Sequence, residues 1–425
     1  MRAPHAYETV QGASPSHLHV SCRLAYYTLA RRAPAKLNWH FFFLSFLRLL
    51  HPAAMAATST CPVVTDATDA SPQELYEAAS HFFPADGYSF RRCSGGVNNK
   101  TFYAERAGSP TLVVRIYNNG KNLPRVRYEH AVVAALQPLS FSFQVPHFLP
   151  RQGSSETFAT LSSGGQACCA RLIEGGPASG LESAHAIGLA TAELLRGLKG
   201  VSIGADVPPA NPLYRNFYSA HHSITREAFM ACAKGDAQFS GVRAAMDFLV
   251  SEIEATEALI ARIVAMDPPL PTQLINADLH TDNVLVEGSK VSGVLDFEFC
   301  AVDWRAMELV VGVSKYCGAK DPKPLLSEYI AGYREGEGEL TAAEVALIPE
   351  LIILRILNNV VFFVGRYLAK EDSIEPIAGV SFPLSFLTRA CPFRWCRQLT
   401  RPPFLTFHFF ISKRGRKFMP LECGG

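Results

Sequence analysis

The chain has 425 residues, which is longer than one ordinary domain and favours an organisation into two or three lobes. Apolar residues make up 48% of it, so a sizeable core can be buried and wholesale disorder is excluded. The 40 basic and 38 acidic side chains leave a net charge of +2, which removes the electrostatic argument for a nucleic-acid or membrane-surface partner. The 11 cysteines are scattered, which favours a reducing, cytoplasmic compartment over a disulfide framework.

Residues 1–63 form a leader that is poor in acidic side chains, since Glu8 is the only one before Met55. Acid-poor segments that carry arginine are typical of organelle transit peptides, which would direct the protein to a plastid or mitochondrion. The alternative is upstream sequence read in frame, because the residues after Met55 are ordinary at a protein start.

Residues 64–174 are predicted to form a small N-terminal lobe in which strands dominate. It opens with a helix, because Ser71 and Glu74 form a capping box around Pro72, and Pro84 ends this helix. Runs rich in β-branched and aromatic residues then alternate with turn residues, as in antiparallel hairpins. The later predicted elements are strands at 101–106 and 111–117, a helix at 126–136, and strands near 156–161 and 166–173.

Residues 175–377 follow a Gly-Pro linker and are predicted to form a larger, helical C-terminal lobe with one short hairpin. The longest helix contains an apolar stretch, but Arg355, Asn358 and Asn359 inside it favour a buried core helix over a membrane span. The predicted fold class is therefore α+β. The predicted elements are helices at 181–199, 221–232, 240–266, 304–316, 324–336 and 341–369, with hairpin strands at 283–286 and 291–297.

Residues 378–425 form a basic, phenylalanine-rich tail in which Glu422 is the only acidic residue. The segment follows neither the helix nor the strand period, which predicts disorder or an alternatively spliced end. The cluster Lys413–Lys417 has a second interpretation, a nuclear or polyanion-binding signal.

The residues that carry chemistry lie in 274–297. Asp278 precedes Asn283 by five positions, and Asp296 lies at the exit of the next hairpin strand. In phosphoryl transfer from ATP, a carboxylate positions the attacking hydroxyl and accepts its proton, while Asn and Asp oxygens hold Mg²⁺. A D-x-x-x-x-N loop followed by a D-F strand end supplies these groups. Each residue alone is commonest as a turn former, whereas the three at this spacing favour a catalytic role.

The small lobe offers a second set of candidate residues. Arg115 lies in the middle of an apolar strand, where a charge needs a partner, and Glu129 on the next helix can reach it. Such a pair orients ATP phosphates in kinases, and the alternative is a plain structural ion pair. The segment Ser94–Asn99 contains Gly95 and Gly96 and is either a loop that covers phosphates or an ordinary turn.

Four motifs together resemble the aminoglycoside phosphotransferase/choline kinase superfamily, with the strongest likeness to homoserine kinase type II-like phosphotransferases. The resemblance extends from about residue 90 to 370 and implies a bilobal, protein-kinase-like fold, with a small antiparallel-sheet N-lobe and a larger helical C-lobe. It also implies ATP and Mg²⁺ as cofactors. The motifs are Ser94–Asn99, Leu112–Tyr117, Ala277–Leu285 and Ser292–Phe297.

The resemblance implies a role for each matching residue. Asp278 is expected to be the catalytic base, with Asn283 and Asp296 as the Mg²⁺ ligands. The residues expected to bind the nucleotide are Ser94, Gly95, Gly96 and Asn98 in the phosphate loop, the pair Arg115 and Glu129, and Arg171 and Ile173 in a hinge strand at 170–174.

The sequence departs from the family at three places. Arg115 stands where most kinases have lysine, and the two side chains are not interchangeable. Asn276 stands where a loop-shaping histidine is usual. Asp303, with Glu308, fills the place of later acidic residues, and we expect Asp303 to cap a helix that begins at Trp304. Glu298 is a candidate to bind an amine of the acceptor.

The expected function is ATP-dependent phosphorylation of a small molecule's hydroxyl group, with homoserine first, which would place the enzyme in threonine biosynthesis. Choline, ethanolamine, hydroxylysine or another small alcohol are alternative acceptors. A pseudoenzyme that binds nucleotide without turnover is the other alternative, which Arg115 and the atypical tail favour. Neither a nucleic acid nor a membrane is expected as a partner.

Overall fold

The computed structural model describes residues 70–93, 99–118, 122–235, 239–240, 243–317, 319 and 321–373. All of them belong to one compact unit, Val63–Gly425. The predicted leader and the predicted tail lie outside the described residues, and so do Ser94, Gly95, Gly96 and Asn98 of the phosphate loop. The roles expected of these residues stay predictions.

A five-stranded antiparallel sheet forms the N-terminal part, with the strand order β1-β2-β3-β5-β4. The first helix begins as predicted, because Ser71 Oγ accepts the N–H of Glu74 and Pro72 occupies the first turn. The sheet covers an apolar core to which α1 also contributes. The elements are α1 (Pro72–Ser80), β1 (Ser89–Arg92), β2 (Asn99–Arg106), β3 (Ser109–Tyr117), α2 (Leu123–Leu136), β4 (Phe158–Thr160) and β5 (Gln166–Arg171).

Strand β3 explains how a charged residue comes to lie in an apolar run. Side chains alternate between the two faces of a strand, so Val114 and Ile116 share one face and Arg115 takes the other. Val114 and Ile116 belong to the core beneath the sheet. Arg115 therefore points away from that core and meets Glu129 of α2.

The C-terminal part is mainly helical. Helices α3 and α7 make the most extensive helix–helix contact, and Gly188 and Gly332 permit it, because a Cβ on either would overlap the backbone of the other helix. The helices are α3 (Gly180–Lys199), α4 (Arg226–Gly235), α5 (Arg243–Val264), α6 (Ala306–Tyr316), α7 (Pro322–Glu335) and α8 (Ala342–Leu368).

Two short sheets lie among these helices. Strand β8 pairs with β9 in the predicted hairpin and with β6, while β7 pairs with β10. The sequence patterns did not predict β6, β7 and β10. The strands are β6 (Gly176–Pro177), β7 (Thr272–Ile275), β8 (Val284–Glu287), β9 (Lys290–Val294) and β10 (Ala301–Trp304).

Two of the predicted helix starts are displaced for a reason that the structure shows. The helix predicted from 304 begins at Ala306, because Ala301–Trp304 pairs with β7 instead. The helix predicted from 221 begins at Arg226, because Thr225 Oγ1 accepts the N–H of Ala228 and so caps it. A short 3₁₀ helix at Tyr214–Ser219 precedes this segment.

Helix α8 is the one described helix that is long and apolar enough to cross a membrane. Within its most apolar window 56% of the residues are buried in the protein, and Leu351, Leu354 and Leu357 belong to the main hydrophobic core. The Thr341–Glu344 capping box fixes its first turn. The helix therefore fits the predicted core helix, and its Arg355 lies inside the protein.

Candidate active site

The loop that follows β7 has a strained backbone that buried side chains hold from two sides. Ala277 has a φ of 65°, in the left-handed region that residues with a Cβ rarely adopt. Glu308 of α6 accepts the N–H groups of Asn276 and Ala277 through Oε2, at 2.7 and 3.0 Å. The Tyr214 hydroxyl donates to the carbonyl oxygen of Ala277 at 3.2 Å. Both backbone polar groups of Ala277 are thus bound by side chains from other elements.

Asn276, where the family usually has histidine, connects the two catalytic segments. Its side chain is fully buried, its Nδ2 donates to the carbonyl oxygen of Asp296 at 2.9 Å, and its Oδ1 accepts the N–H of Asp278 at 3.0 Å. These bonds hold Asp278 and Asp296 in a fixed relation. The histidine-to-asparagine departure therefore still leaves the loop shaped by hydrogen bonds.

Asp278, the predicted base, has hydrogen-bond donors on both carboxylate oxygens. Asn283 Nδ2 donates to Oδ2 at 2.8 Å, and Arg355 Nη2 donates to Oδ1 at 3.0 Å. His280 Nε2 lies 3.5 Å from Oδ1. Burial raises the pKa of Asp278, but the bonds from His280 and Asn283 and the charge of Arg355 outweigh it, so the pKa lies below its usual value. Asp278 is consequently ionised and able to accept a proton.

Asp296 lies at the end of the hairpin with a φ of 58°, and its Oδ1 accepts the N–H of Glu298 at 3.3 Å. Burial raises the pKa of Asp296, and the charge of Arg115 opposes this only in part. Because Nδ2 of Asn283 is bound to Asp278, Oδ1 is the atom that Asn283 has left for a cation.

The carboxylates around Asp296 fit a bound divalent cation. Glu298 is buried beside it, and burial, followed by the charges of Asp296 and Glu129, raises the pKa of Glu298 to about 8. Among the residues that the structure describes, none gives the buried Glu129 Oε2 atom a hydrogen bond. A buried cluster with this excess of carboxylate oxygen has the donor chemistry that Mg²⁺ prefers.

Arg115 and Glu129 form the predicted pair, with Nη1 2.8 Å from Oε1 and side chains that are 15% and 1% exposed. Burial alone lowers the pKa of Arg115, but the charges of Glu129 and Asp296 outweigh it, and the net pKa lies well above the usual value. Arg115 therefore stays charged beside Asp296. Its expected role toward ATP phosphates stays a prediction.

Glu298, the candidate to bind an amine of the acceptor, has hydrogen-bond donors from two other segments. Its Oε2 accepts from Asn99 Nδ2 at 3.0 Å, and Asn99 is the first residue of β2, directly after the phosphate-loop segment. Asn211 Nδ2 donates to its backbone carbonyl at 2.7 Å. That Glu298 binds an amine of the acceptor stays a prediction.

The two predicted hinge residues lie at the end of β5 and just beyond it. The backbone N–H of Arg171 donates to the His147 carbonyl at 3.0 Å, and the Arg171 residue is exposed. Ile173 is buried and packs so closely on Gly293 that a Cβ there would overlap it. Adenine binding by these two residues stays a prediction.

Asp303 does not cap a helix, which corrects our expectation. It lies in β10, and its carboxylate accepts the N–H of Tyr214 at 2.6 Å and that of Trp304 at 2.7 Å. Asp303 therefore holds the segment that brings Tyr214 to the catalytic loop.

Sequence reasoning missed Tyr214, Asn99 and the site role of Arg355, although the charge of Arg355 inside an apolar helix was a usable signal.

The family model of the phosphotransferase enzyme family matches residues 89–344, and the chain belongs to that family. The homoserine kinase of Chelativorans sp. strain BNC1 is 30% identical over 145 residues, which is 32% of this chain and 44% of that relative. The homoserine kinase of Rhodopseudomonas palustris strain BisB5 is 25% identical over 337 residues, 74% of this chain and 93% of that relative. The matched segment spans 40–44% of the length of the first four curated relatives.

Two solved structures share the fold. The microcompartment-associated aminopropanol kinase has a TM-score of 0.54 at 18% identity, and the match covers 76% of this chain and 98% of that one. The amicoumacin kinase hAmiN, solved in complex with AMP-PNP and Ca²⁺, has a TM-score of 0.53 at 14% identity, over 75% and 94% of the two chains. The predicted α+β, protein-kinase-like fold is thereby confirmed.

Proposed function

We propose that this phosphotransferase uses Mg-ATP to phosphorylate the hydroxyl group of a small molecule, with homoserine as the first candidate acceptor. One observation carries the proposal: Asp278 lies between Asn283 and Arg355 and is joined through Asn276 to the segment of Asp296. A carboxylate within reach of a hydroxyl and next to a cation site is the arrangement that phosphoryl transfer needs.

The chain's own residues then have these roles. Asp278 orients the acceptor hydroxyl and takes its proton, while the hydroxyl oxygen bonds to the γ-phosphorus, the bond to the bridging oxygen breaks, and ADP leaves. Arg115, held by Glu129, orients the phosphates. Asn283 and Asp296 would hold Mg²⁺, which neutralises the charge that develops on the phosphate oxygens when it is bound.

Homoserine is supported by the relatives, since the homoserine kinase of R. palustris BisB5 aligns over 93% of its own length. The aminopropanol kinase of similar fold supports a small amino alcohol as a second candidate class. Choline, ethanolamine and hydroxylysine remain acceptors to test, and a role in threonine biosynthesis depends on homoserine being the acceptor.

We extend the proposal to a cytoplasmic location. Free cysteines such as the buried Cys168 and Cys169 are typical of a reducing compartment.

The test is an ADP-release assay on the full chain with Mg-ATP and a panel of homoserine, choline, ethanolamine, hydroxylysine and 3-amino-1-propanol. We expect turnover with at least one acceptor and its loss in Asp278→Asn. The control is Asp247→Asn, which changes an exposed aspartate on α5. Full activity of Asp278→Asn would refute the role of the base, and nucleotide binding without any product would instead support a pseudoenzyme.

A further inference from the structure

Arg355 of α8 brings a charged side chain to Asp278. Its Nη2 binds Oδ1 of Asp278, whereas Asn283, on the cation side, binds Oδ2. A hydroxyl that reaches Asp278 away from the cation therefore approaches the guanidinium. Arg355 is thus placed on the acceptor's side of the base.

The guanidinium is held rigidly but retains hydrogen-bonding capacity. Its Nη1 donates to the Tyr214 hydroxyl at 3.1 Å, and Tyr214 is itself fixed by its bond to Ala277. The Arg355 side chain is 12% exposed, and its Nε is buried without a partner among the described residues. A planar guanidinium carries five N–H groups, and two adjacent ones match a carboxylate in a bidentate pair. Asp278 and the Tyr214 hydroxyl use two of these N–H groups of Arg355, so N–H groups remain for a further carboxylate.

The charge balance during turnover also favours an anionic group on the acceptor beside Arg355. Before the reaction Asp278 and Arg355 neutralise one another in a buried place. When Asp278 takes the proton of the acceptor hydroxyl it becomes neutral, and the buried cation loses a counter-charge. An anionic group on the acceptor replaces that counter-charge. The interaction between this group and Arg355 is therefore strongest when the proton has moved to Asp278, and an interaction that strengthens toward the transition state raises the rate.

We infer that Arg355 determines acceptor specificity by binding a carboxylate of the acceptor, so that the substrates are small hydroxy acids, with or without an amine. The inference rests on the proposed kinase function and names its substrate class. It separates homoserine, a four-carbon hydroxy acid, from choline and ethanolamine, which have no carboxylate.

Three acceptors isolate the carboxylate: L-homoserine carries both charged groups, 4-hydroxybutyrate only the carboxylate, and 3-amino-1-propanol only the amine. Using the full chain, we expect kcat/KM for the two carboxylates to exceed that for 3-amino-1-propanol by about tenfold or more, as for one charged hydrogen-bonded pair. Equal kcat/KM for the three acceptors would overturn the inference and leave the kinase function standing.

Variants separate recognition from positioning. Arg355→Met should lower kcat/KM for both carboxylate acceptors and abolish the preference, and Arg355→Lys, which keeps the charge but loses the fork, should restore part of it. The control is Arg226→Met. It removes an arginine whose Nε lies 2.8 Å from Glu257 Oε1 and which therefore pairs with Glu257 and not with Asp278. A fall in kcat by the same factor for all three acceptors, or a rise in KM for ATP alone, would overturn the inference.

Equilibrium binding keeps the inference testable if no acceptor is turned over. Calorimetry with AMP-PNP present should give tighter binding of 4-hydroxybutyrate than of 3-amino-1-propanol to the wild-type chain, and no difference in Arg355→Met. This result without turnover would support the inference while the proposed function fails. Absence of the preference in the wild-type chain would refute the inference itself.

Discussion

Glu308 offers the sharpest test of how the catalytic loop is held. It is fully buried, and its Oε2 accepts the N–H groups of Asn276 and Ala277. Burial raises the pKa of Glu308 from 4.5 to about 7, in spite of these two donors. Glu308→Gln keeps an oxygen for both N–H groups but cannot ionise, so the variant isolates the free-energy cost of the buried charge.

The magnitude follows from the two pKa values of Glu308. At roughly 1.4 kcal/mol per pH unit, a pKa raised from 4.5 to about 7 corresponds to about 3 kcal/mol. The folded protein binds this proton more tightly than the unfolded chain does. The stabilisation by protonated Glu308 is therefore complete below pH 4.5 and is lost as the pH rises through about 7. Glu308→Gln should not show this loss.

The assay is urea unfolding of the full wild-type chain and of Glu308→Gln at pH 5, 6, 7 and 8, because the difference between the two chains cancels all other titrating groups. We expect the free energy of unfolding of the variant to rise relative to wild type by about 2 to 3 kcal/mol between pH 5 and 8. Glu254→Gln, an exposed control on α5, should show no such change. A constant difference between wild type and Glu308→Gln would refute the reasoning.

Three further predictions test the rest of the site. Glu129→Gln should raise KM for ATP about tenfold, because Arg115 loses its charged partner; an unchanged KM would contradict the nucleotide role of the pair. Asp296→Asn should abolish the Mg²⁺-dependent part of the rise in Tm with ATP, measured with and without chelator, and an intact Mg²⁺ effect would exclude Asp296 as ligand. Burial lowers the pKa of His130 to about 3. The stabilisation of the fold by neutral His130 is therefore complete above pH 6.5 and falls by about 2 kcal/mol on acidification to pH 5. The change in unfolding free energy between pH 7 and 5 should be smaller in His130→Phe, and an equal change would disprove this.

Local patterns explain what could be predicted from the sequence. The capping box at Ser71 and the hairpin of β2 and β3 depend on residues close together in the chain, and both form near the expected positions. Strands β7 and β10 have four residues each and pair across 26 or more positions, so no local period reveals them. The displaced helix start at Trp304 has this cause, since tertiary pairing overrides a plausible cap.

The same distinction applies to the site. Asp278 and Asn283 lie within one motif of fixed spacing, Asp296 lies in the next motif, and Arg115 is conspicuous as a charge in an apolar strand. The bond from Asn99 to Glu298 spans 199 positions, and that from Arg355 to Asp278 spans 77. Contacts over such separations depend on how the lobes pack, which one sequence does not encode in a readable pattern.

The catalytic geometry depends on strain that the helical part of the fold maintains. Ala277 and Asp296 both adopt left-handed backbone conformations, which cost of order 1 kcal/mol or more each for residues other than glycine. Such conformations persist only where the surroundings determine them. Here Glu308 and Tyr214, from two separate elements, bind the backbone of Asn276 and Ala277 directly before Asp278, and the Asn276 side chain binds the carbonyl oxygen of Asp296. These bonds are all made between groups of the protein itself, so they fix the orientation of the base and of the cation carboxylate, and this preorganisation is what the buried polar groups of the larger lobe provide.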